Sequence, residues 1–203
     1  MLPSTSQVKK PWNHKRVYTD MKLNIRSKRK QRLPPRNPVP LAVPISIGKT
    51  WSMDFMSDAP HNKTRFRTFN VIDNFNREAL GIDIGTEIPA TRVTRYLDQL
   101  AAWHGYSEKV RVDNGPEFTS GKFMQWAERN NVIIDYIKPE CPYQNAYIER
   151  FNRTYRNDIL DLYLFRNLDE VFEMTTNWIK LYNTERSHDS LNNMTPEEYR
   201  LAT

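Results

Sequence analysis

Five prolines fall within eleven residues, at positions 34, 35, 38, 40 and 44. Proline lacks the backbone donor and fixes φ, so this stretch can be neither a helix nor a central strand. It reads as an extended linker over residues 34–48 that divides the chain in two. Before it lies a basic arm, residues 1–33; after it the pattern turns to strands and helices. Within the arm, Asn13–Leu33 has helix-compatible spacing at Val17, Met21 and Leu23 and then becomes a run of bases. The first forty residues hold eleven of the chain's 30 Lys and Arg and only one of its 24 Asp and Glu, Asp20. The net charge of +6 is therefore owed to the arm, because the remainder carries more acids than bases. Such a block reads as a nucleic-acid-binding arm, with Lys15, Arg16, Lys28, Arg29 and Lys30 as candidate DNA contacts. A solvated leader with no partner would share this composition.

Several classes are excluded. No stretch approaches the roughly 20 consecutive apolar residues of a membrane span. The first twenty residues have no apolar run, so they do not read as a secretory signal, and a cytoplasmic protein is expected. A single cysteine, Cys141, excludes an internal disulfide and a zinc site built on paired cysteines.

Beyond the linker, Thr50–Ser57 alternates Trp51, Met53 and Phe55 with Ser52, Asp54 and Met56, as a strand does. Phe66–Phe75 and Ala79–Gly85 are two more β-rich runs separated by a hairpin-sized gap. Thr91–His104 reads as an amphipathic helix, and Lys109–Asp113 as a strand ending in the turn Asn114-Gly115-Pro116. Ser120–Asn130 reads as a helix, Val132–Ile137 as a fifth strand and Gln144–Leu162 and Leu168–Thr184 as helices. Finally Thr195-Pro196-Glu197-Glu198 has a capping residue, a first-turn proline and first-turn acids. The order predicts an α/β fold, a mixed five-stranded sheet flanked by helices, after a basic N-terminal helical arm. Residues 49–165 would form the core and 166–203 its helical tail.

Three acids stand out. Asp54 lies in the run Trp-Ser-Met-Asp-Phe-Met, where a carboxylate is costly unless paired or bound to a cation. Asp113 closes a strand. Glu149 shares a helical stripe with Asn145, Asn152 and Arg156, while Ile148, Phe151, Tyr155 and Ile159 form an apolar stripe beside it. Strand ends and an adjoining helix can converge on one crevice. Carboxylates without paired Cys or His suit Mg²⁺, or Mn²⁺ in its place, and a pair of such ions serves phosphoryl transfer. Each acid taken singly would also serve as a cap, a surface charge or an ion-pair partner; Arg153 stands four residues beyond Glu149, at ion-pair spacing.

The segments WSMDFM, FNVIDNFNREALGIDI, RVDNGPEFTS and QNAYIERFNRTYRNDIL resemble the integrase-type catalytic core of bacterial insertion-sequence DDE transposases. The group numbered three among insertion sequences, in its second-reading-frame product, is the most similar. The resemblance runs from about Trp51 to LYNTERSHDSLNNMTPEEY at the end and reaches back to NHKRVY. It implies a ribonuclease H-like core, with Asp54, Asp113 and Glu149 as catalytic, metal-holding acids. The thirty-five residues between the last two are the family's spacing, and Arg156 matches its basic residue seven beyond the glutamate. The implied chemistry is hydrolysis at the element's ends, then attack of the freed 3′-hydroxyl on another phosphodiester. Implied partners are double-stranded DNA (ends and target), further copies in a multimer on DNA, and a first-reading-frame DNA-binding protein. The chain departs from the family where Lys138-Pro139-Glu140-Cys141-Pro142-Tyr143 lacks a loop glycine, at Asn74 in place of an acid, and at Ser187 in place of proline. Family members have more helices upstream, so the chain reads as an N-terminally truncated copy.

Asn114, Gln144 and Asn145 flank the acids and are candidates to orient a phosphate or metal-bound water; Lys138, Asn152, Arg153 and Arg156 complete the expected DNA contacts. Glu117 reads as a helix-leading acid or an alternative metal ligand, and His188 as a packing or capping residue. Trp51, Trp103, Trp126 and Trp178 read as core. Two other functions stay open: a catalytically silent DNA-binding remnant that competes with an intact transposase, and a nuclease acting on RNA–DNA hybrids.

Overall fold

The computed structural model describes residues 44–59, 65–138 and 142–203. The basic arm, with Lys15, Arg16, Lys28, Arg29 and Lys30, lies outside the described residues, as do most of the linker and Cys141.

Three strands, β1 (Thr50–Asp58), β2 (Phe66–Asp73) and β3 (Ala79–Gly85), form an antiparallel meander. Helix α1 (Ala90–His104) leads to β4 (Lys109–Val112), which pairs parallel with β1. Helix α2 (Gly121–Arg129) leads to β5 (Ile133–Tyr136), parallel with β4. Parallel neighbours need a crossover, and the two helices supply it. The sheet order is β3-β2-β1-β4-β5. Helices α3 (Ala146–Tyr155), α4 (Leu168–Thr184) and α5 (Pro196–Ala202) follow. This is the expected mixed five-stranded sheet flanked by helices.

The alternation in β1 sorts its side chains to two faces. Trp51 and Met53 join Phe69, Val71, Val110 and Val112 in a core closed by Val93 and Leu97 of α1 and Phe123 and Trp126 of α2. On the other face Met56, Ile72, Ile82 and Ile84 meet Ile148, Phe151 and Tyr155 of α3 and Val171, Trp178 and Tyr182 of α4. Each such buried side chain contributes roughly 1.5–3 kcal/mol. Asn183 pins α4 to β3, accepting from the N–H of Ala79 at 2.9 Å and donating to its carbonyl at 3.0 Å. Helix α5 opens on the expected capping box: Thr195 Oγ1 accepts from the N–H of Glu198, whose carboxylate accepts from the N–H of Thr195.

Two expectations need correction. The segment Gln144–Leu162 is not one regular helix: a 3₁₀ turn (Pro142–Asn145) precedes α3 and a π turn (Arg156–Leu160) follows it. The π turn lets Ile159 and Leu160 both reach the second core while Arg156 turns to β1. Trp103 is not core but 88% exposed, because α1 buries the stripe through Val93, Leu97, Leu100 and Ala101 and Trp103 lies off it.

Candidate active site

The parallel ladder between β1 and β4 pairs Thr50 with Lys109, Trp51 with Val110 and Ser52 with Arg111. Carrying that offset two residues further sets Asp54 abreast of Asp113, just beyond the last pair. Neighbouring strands lie roughly 5 Å apart, so the register that builds the sheet also brings two acids side by side. Asp54 faces the α3 side of the sheet, since its antiparallel partner is Asn70.

Asn152 of α3 is the clasp over that face. Its amide donates to Asp54 Oδ2 at 2.8 Å, and its carbonyl oxygen accepts from Asn70 Nδ2 at 2.7 Å. Three polar side chains from β1, β2 and α3 thus form one chain within an otherwise apolar layer. The N–H of Phe55 donates to Asp54 Oδ1 at 2.8 Å. Burial lifts the Asp54 carboxyl above the usual carboxylate range, to about 6, with the charges of Asp113 and Glu149 pushing the same way. The hydrogen bonds from Phe55 and Asn152 oppose the rise without cancelling it.

Asp113 is exposed at the end of β4, and its Oδ1 accepts from the N–H of Gly115 at 2.9 Å. A Cβ on Gly115 would come within 2.9 Å of that oxygen, so a larger residue there would displace the carboxylate. Glu149 is exposed in the first turn of α3. Its charge acts on Asp54, so the three acids meet electrostatically. Among the described residues, no three His, Cys, Asp or Glu side chains are already packed as a metal cage. Closing on an ion would require Asp113 and Glu149 to swing toward Asp54, and both are exposed enough to do so. The donor set is wholly oxygen, and a cation there would relieve the repulsion that lifts Asp54; the chemistry fits a hard divalent ion.

The amides and bases around the acids divide. Asn114 donates to the carbonyl of Ile137 at 3.0 Å and ties the ends of β4 and β5 together. The side chain of Gln144 accepts from the N–H of Lys138 at 3.0 Å, and its carbonyl accepts from Arg111 at 3.2 Å. Asn145 is buried, and its Oδ1 has no partner among the described residues. Arg156 donates to the carbonyl of Ser57 and pairs with Asp58 at 3.2 Å and Asp161 at 3.5 Å, bracing the helix against β1. Lys138 and Arg153 are exposed. Arg153 has no ion-pair partner among the described residues, Glu149 included. Glu117 pairs with Arg67, whose guanidinium lies 4.2 Å from the Phe55 ring centroid.

Sequence reasoning missed Asn70. An asparagine in the middle of Phe-Asn-Val-Ile-Asp is costly in a buried strand unless its amide is bonded, the same signal that singles out Asp54.

An integrase core domain model matches residues 47–142, and a second integrase core domain model matches residues 130–196. The insertion element IS476 uncharacterized 39.2 kDa protein of Xanthomonas euvesicatoria is 37% identical over 190 residues, covering 92% of this chain and 55% of that protein. The insertion element IS407 uncharacterized 31.7 kDa protein of Burkholderia multivorans is also 37% identical over 190 residues, covering 92% of this chain and 69% of that one. The chain thus spans little more than half of the first relative. Among solved structures, the HTLV-2 integrase catalytic core domain in complex with magnesium superposes with a TM-score of 0.57 at 14% identity. That match covers 75% of this chain and 96% of that one, and it establishes a shared, ribonuclease H-like fold. From the spacing of its motifs, its sheet and these relatives together, the chain belongs to the integrase-core transposases of bacterial insertion elements.

Proposed function

We propose that this chain cleaves DNA at an element's ends and transfers the cut strand to a target, using Asp54, Asp113 and Glu149 to hold Mg²⁺ or Mn²⁺. The observation that carries the reading is the lift of Asp54 to about 6 by burial and by the two other acids. A carboxylate destabilised first by burial and then by two neighbouring acids is a site prepared for positive charge. Bound there, a pair of divalent ions supplies the charge that activates an attacking oxygen and stabilises a leaving one.

The chain's own residues do the positioning. Asn152 holds Asp54 Oδ2 and fixes the carboxylate plane from α3. The Gly115 N–H holds Asp113 Oδ1, and Oδ2 accepts no hydrogen bond among the described residues. Arg153 and Lys138, both exposed, are the bases near the acids best able to take a backbone phosphate; Arg156 acts as a brace. Asn114, Gln144 and Asn145 shape the loops around the acids. Lys15, Arg16, Lys28, Arg29 and Lys30 remain candidate DNA contacts by charge alone. In the first step water attacks a phosphodiester at the element's end and the 3′-oxygen leaves with a proton. In the second that 3′-hydroxyl attacks a target phosphodiester and displaces another 3′-oxygen. Joining two ends calls for more than one copy on DNA, and a first-reading-frame protein would aid end recognition.

The test is a labelled duplex carrying the element's end, incubated with the chain in Mg²⁺ and in Mn²⁺ beside Glu149→Gln. Nicking and joining by the parent chain and not by Glu149→Gln is the expected result. Binding without cleavage in either metal would replace this reading with that of a silent DNA-binding remnant. Faster cutting of an RNA–DNA hybrid would replace it with that of a hybrid nuclease.

A further inference from the structure

Helix α3 has a second polar flank, opposite the stripe that carries Glu149. There Arg77, Arg150, Arg186, Ser187, His188 and Ser190 line a cavity of about 160 Å³, floored by the rings of Tyr147 and Tyr182. Asp189 is the one acid on its wall.

Arg77 is the residue that demands an explanation. It sits in the β2–β3 turn with φ 62° and is only 8% exposed. Its guanidinium stacks 3.6 Å from the Tyr147 ring centroid, and Nη1 is buried with no partner among the described residues. A buried guanidinium is expensive unless an anion or a full set of acceptors meets it. Among the described residues no carboxylate comes within ion-pair distance of it, although the charge of Asp73 acts on it from farther off. Arg150 is exposed and likewise has no ion-pair partner among the described residues. Arg186 gives Nη1 to Asp158 at 3.0 Å and also lines the cavity. His188 packs edge-on against Tyr182 at 5.3 Å, and its Nε2 is buried without a partner. Burial and then Arg186, Arg150 and Arg77 push its imidazole down to about 4, with Asp189 pulling the other way. The three guanidiniums therefore act on one point, and the single opposing acid does not neutralise them.

Forked guanidinium donors, two serine hydroxyls and a small roofed volume make a set suited to a tetrahedral oxyanion. We propose that this pocket binds a phosphate group, in a site separate from the three acids and on the other side of α3. The phosphate comes either from a DNA backbone or from a small phosphorylated molecule, and both present the same oxygens.

The experiment titrates inorganic phosphate into the full chain at constant ionic strength and follows the His188 ring resonances by NMR. A saturable shift is expected, weakened on the order of tenfold in Arg150→Gln and largely restored in Arg150→Lys. Arg150 is exposed on α3, so its replacement leaves the core intact. An absent or unsaturable shift, or equal affinity in the parent chain and Arg150→Gln, would overturn the proposal. A second arm measures the salt dependence of binding to a DNA duplex. A slope shallower by about one in Arg150→Gln assigns a backbone phosphate. An unchanged slope beside weakened inorganic phosphate binding assigns a small phosphorylated ligand. The phosphate titration does not need the chain to cleave DNA, so this site and the catalytic reading can fail separately.

Discussion

Asp73 and Asp113 open two turns that read almost alike, Asp-Asn-Phe and Asp-Asn-Gly. In each, Oδ1 accepts from the N–H two residues on, at 2.7 Å from Phe75 and 2.9 Å from Gly115. There the likeness stops. Asp73 has no exposed surface, and its Oδ2 takes the N–H of Gly48 at 2.7 Å. Burial raises its carboxyl too, but both oxygens are committed to backbone. Asp113 is exposed, and its Oδ2 has no partner among the described residues. Turn chemistry alone does not tell the two acids apart; what differs is whether an oxygen is left over for a partner outside the turn. The hairpin that holds Asp73 is sealed by α5 (Asn76 donates to the carbonyl of Pro196, and Phe75 packs on Tyr199), whereas the Asp113 turn opens outward.

The sharpest way to break this comparison is to change both acids. Asp113→Asn should cost about a thousandfold in strand cleavage, roughly 4 kcal/mol of transition-state stabilisation, while stability in urea moves by less than about 1 kcal/mol. Asp73→Ala should instead leave two buried N–H groups without acceptors and lower stability by about 2–5 kcal/mol. If the urea midpoints came out in the opposite order, the division between the two turns would be wrong.

Asp54 sharpens the contrast through pH. Its folded value, raised to about 6, means that the folded chain binds the proton more tightly than the unfolded chain does. That stabilisation is fully present below pH 4 and is lost as pH rises through 6. Asp54→Asn has no charge to bury and, like the protonated carboxyl, offers one carbonyl acceptor to Phe55 and Asn152 instead of two. It should therefore be more stable than the parent chain by about 2–3 kcal/mol at pH 8 and equal to it near pH 3. Urea denaturation across that range measures the gap, and Mg²⁺ should narrow it at pH 8 by stabilising only the parent. A gap constant with pH would mean that Asp54 is not held out of its ordinary range.

The smallest effect is expected at Gly115→Ala, whose Cβ would press on Asp113 Oδ1. A displaced carboxylate should lower cleavage roughly tenfold to a hundredfold with a stability change under about 1 kcal/mol. Full activity in this variant would show that the turn does not aim the acid.

Much of this was legible beforehand because the relevant forces are periodic. Alternation in Thr50–Ser57 gave the two faces of β1, and the apolar stripe Ile148, Phe151, Tyr155 and Ile159 gave the buried side of α3 and of the π turn that follows it. The Thr195–Glu198 box marked the start of α5. What periodicity does not reveal is the partner across the fold. Asn114 and Gln144 stood out for their place beside the acids, yet their amides are engaged by the carbonyl of Ile137 and the N–H of Lys138. Arg156 shared the Glu149 stripe as expected, but Asp58 arrives from β1 to meet it. Trp103 was misread because it belongs to an amphipathic helix but lies off the stripe that the helix buries. The arginine pocket was invisible, since Arg77, Arg150 and Arg186 are far apart in the chain and no motif joins them.

The clasp of Asn70, Asp54 and Asn152 also has a meaning in time. Asp54 and Asn152 lie ninety-eight residues apart, while β1, β2 and β3 are joined by short connections that can pair early. During synthesis the meander can form while Asp54 still lacks its tether, because the helix that supplies it has yet to emerge. Asp54 then comes under control only after the second core has closed around it. A nascent or nicked chain would hold the meander without the clasp, and the order of translation would itself delay the gathering of the three acids.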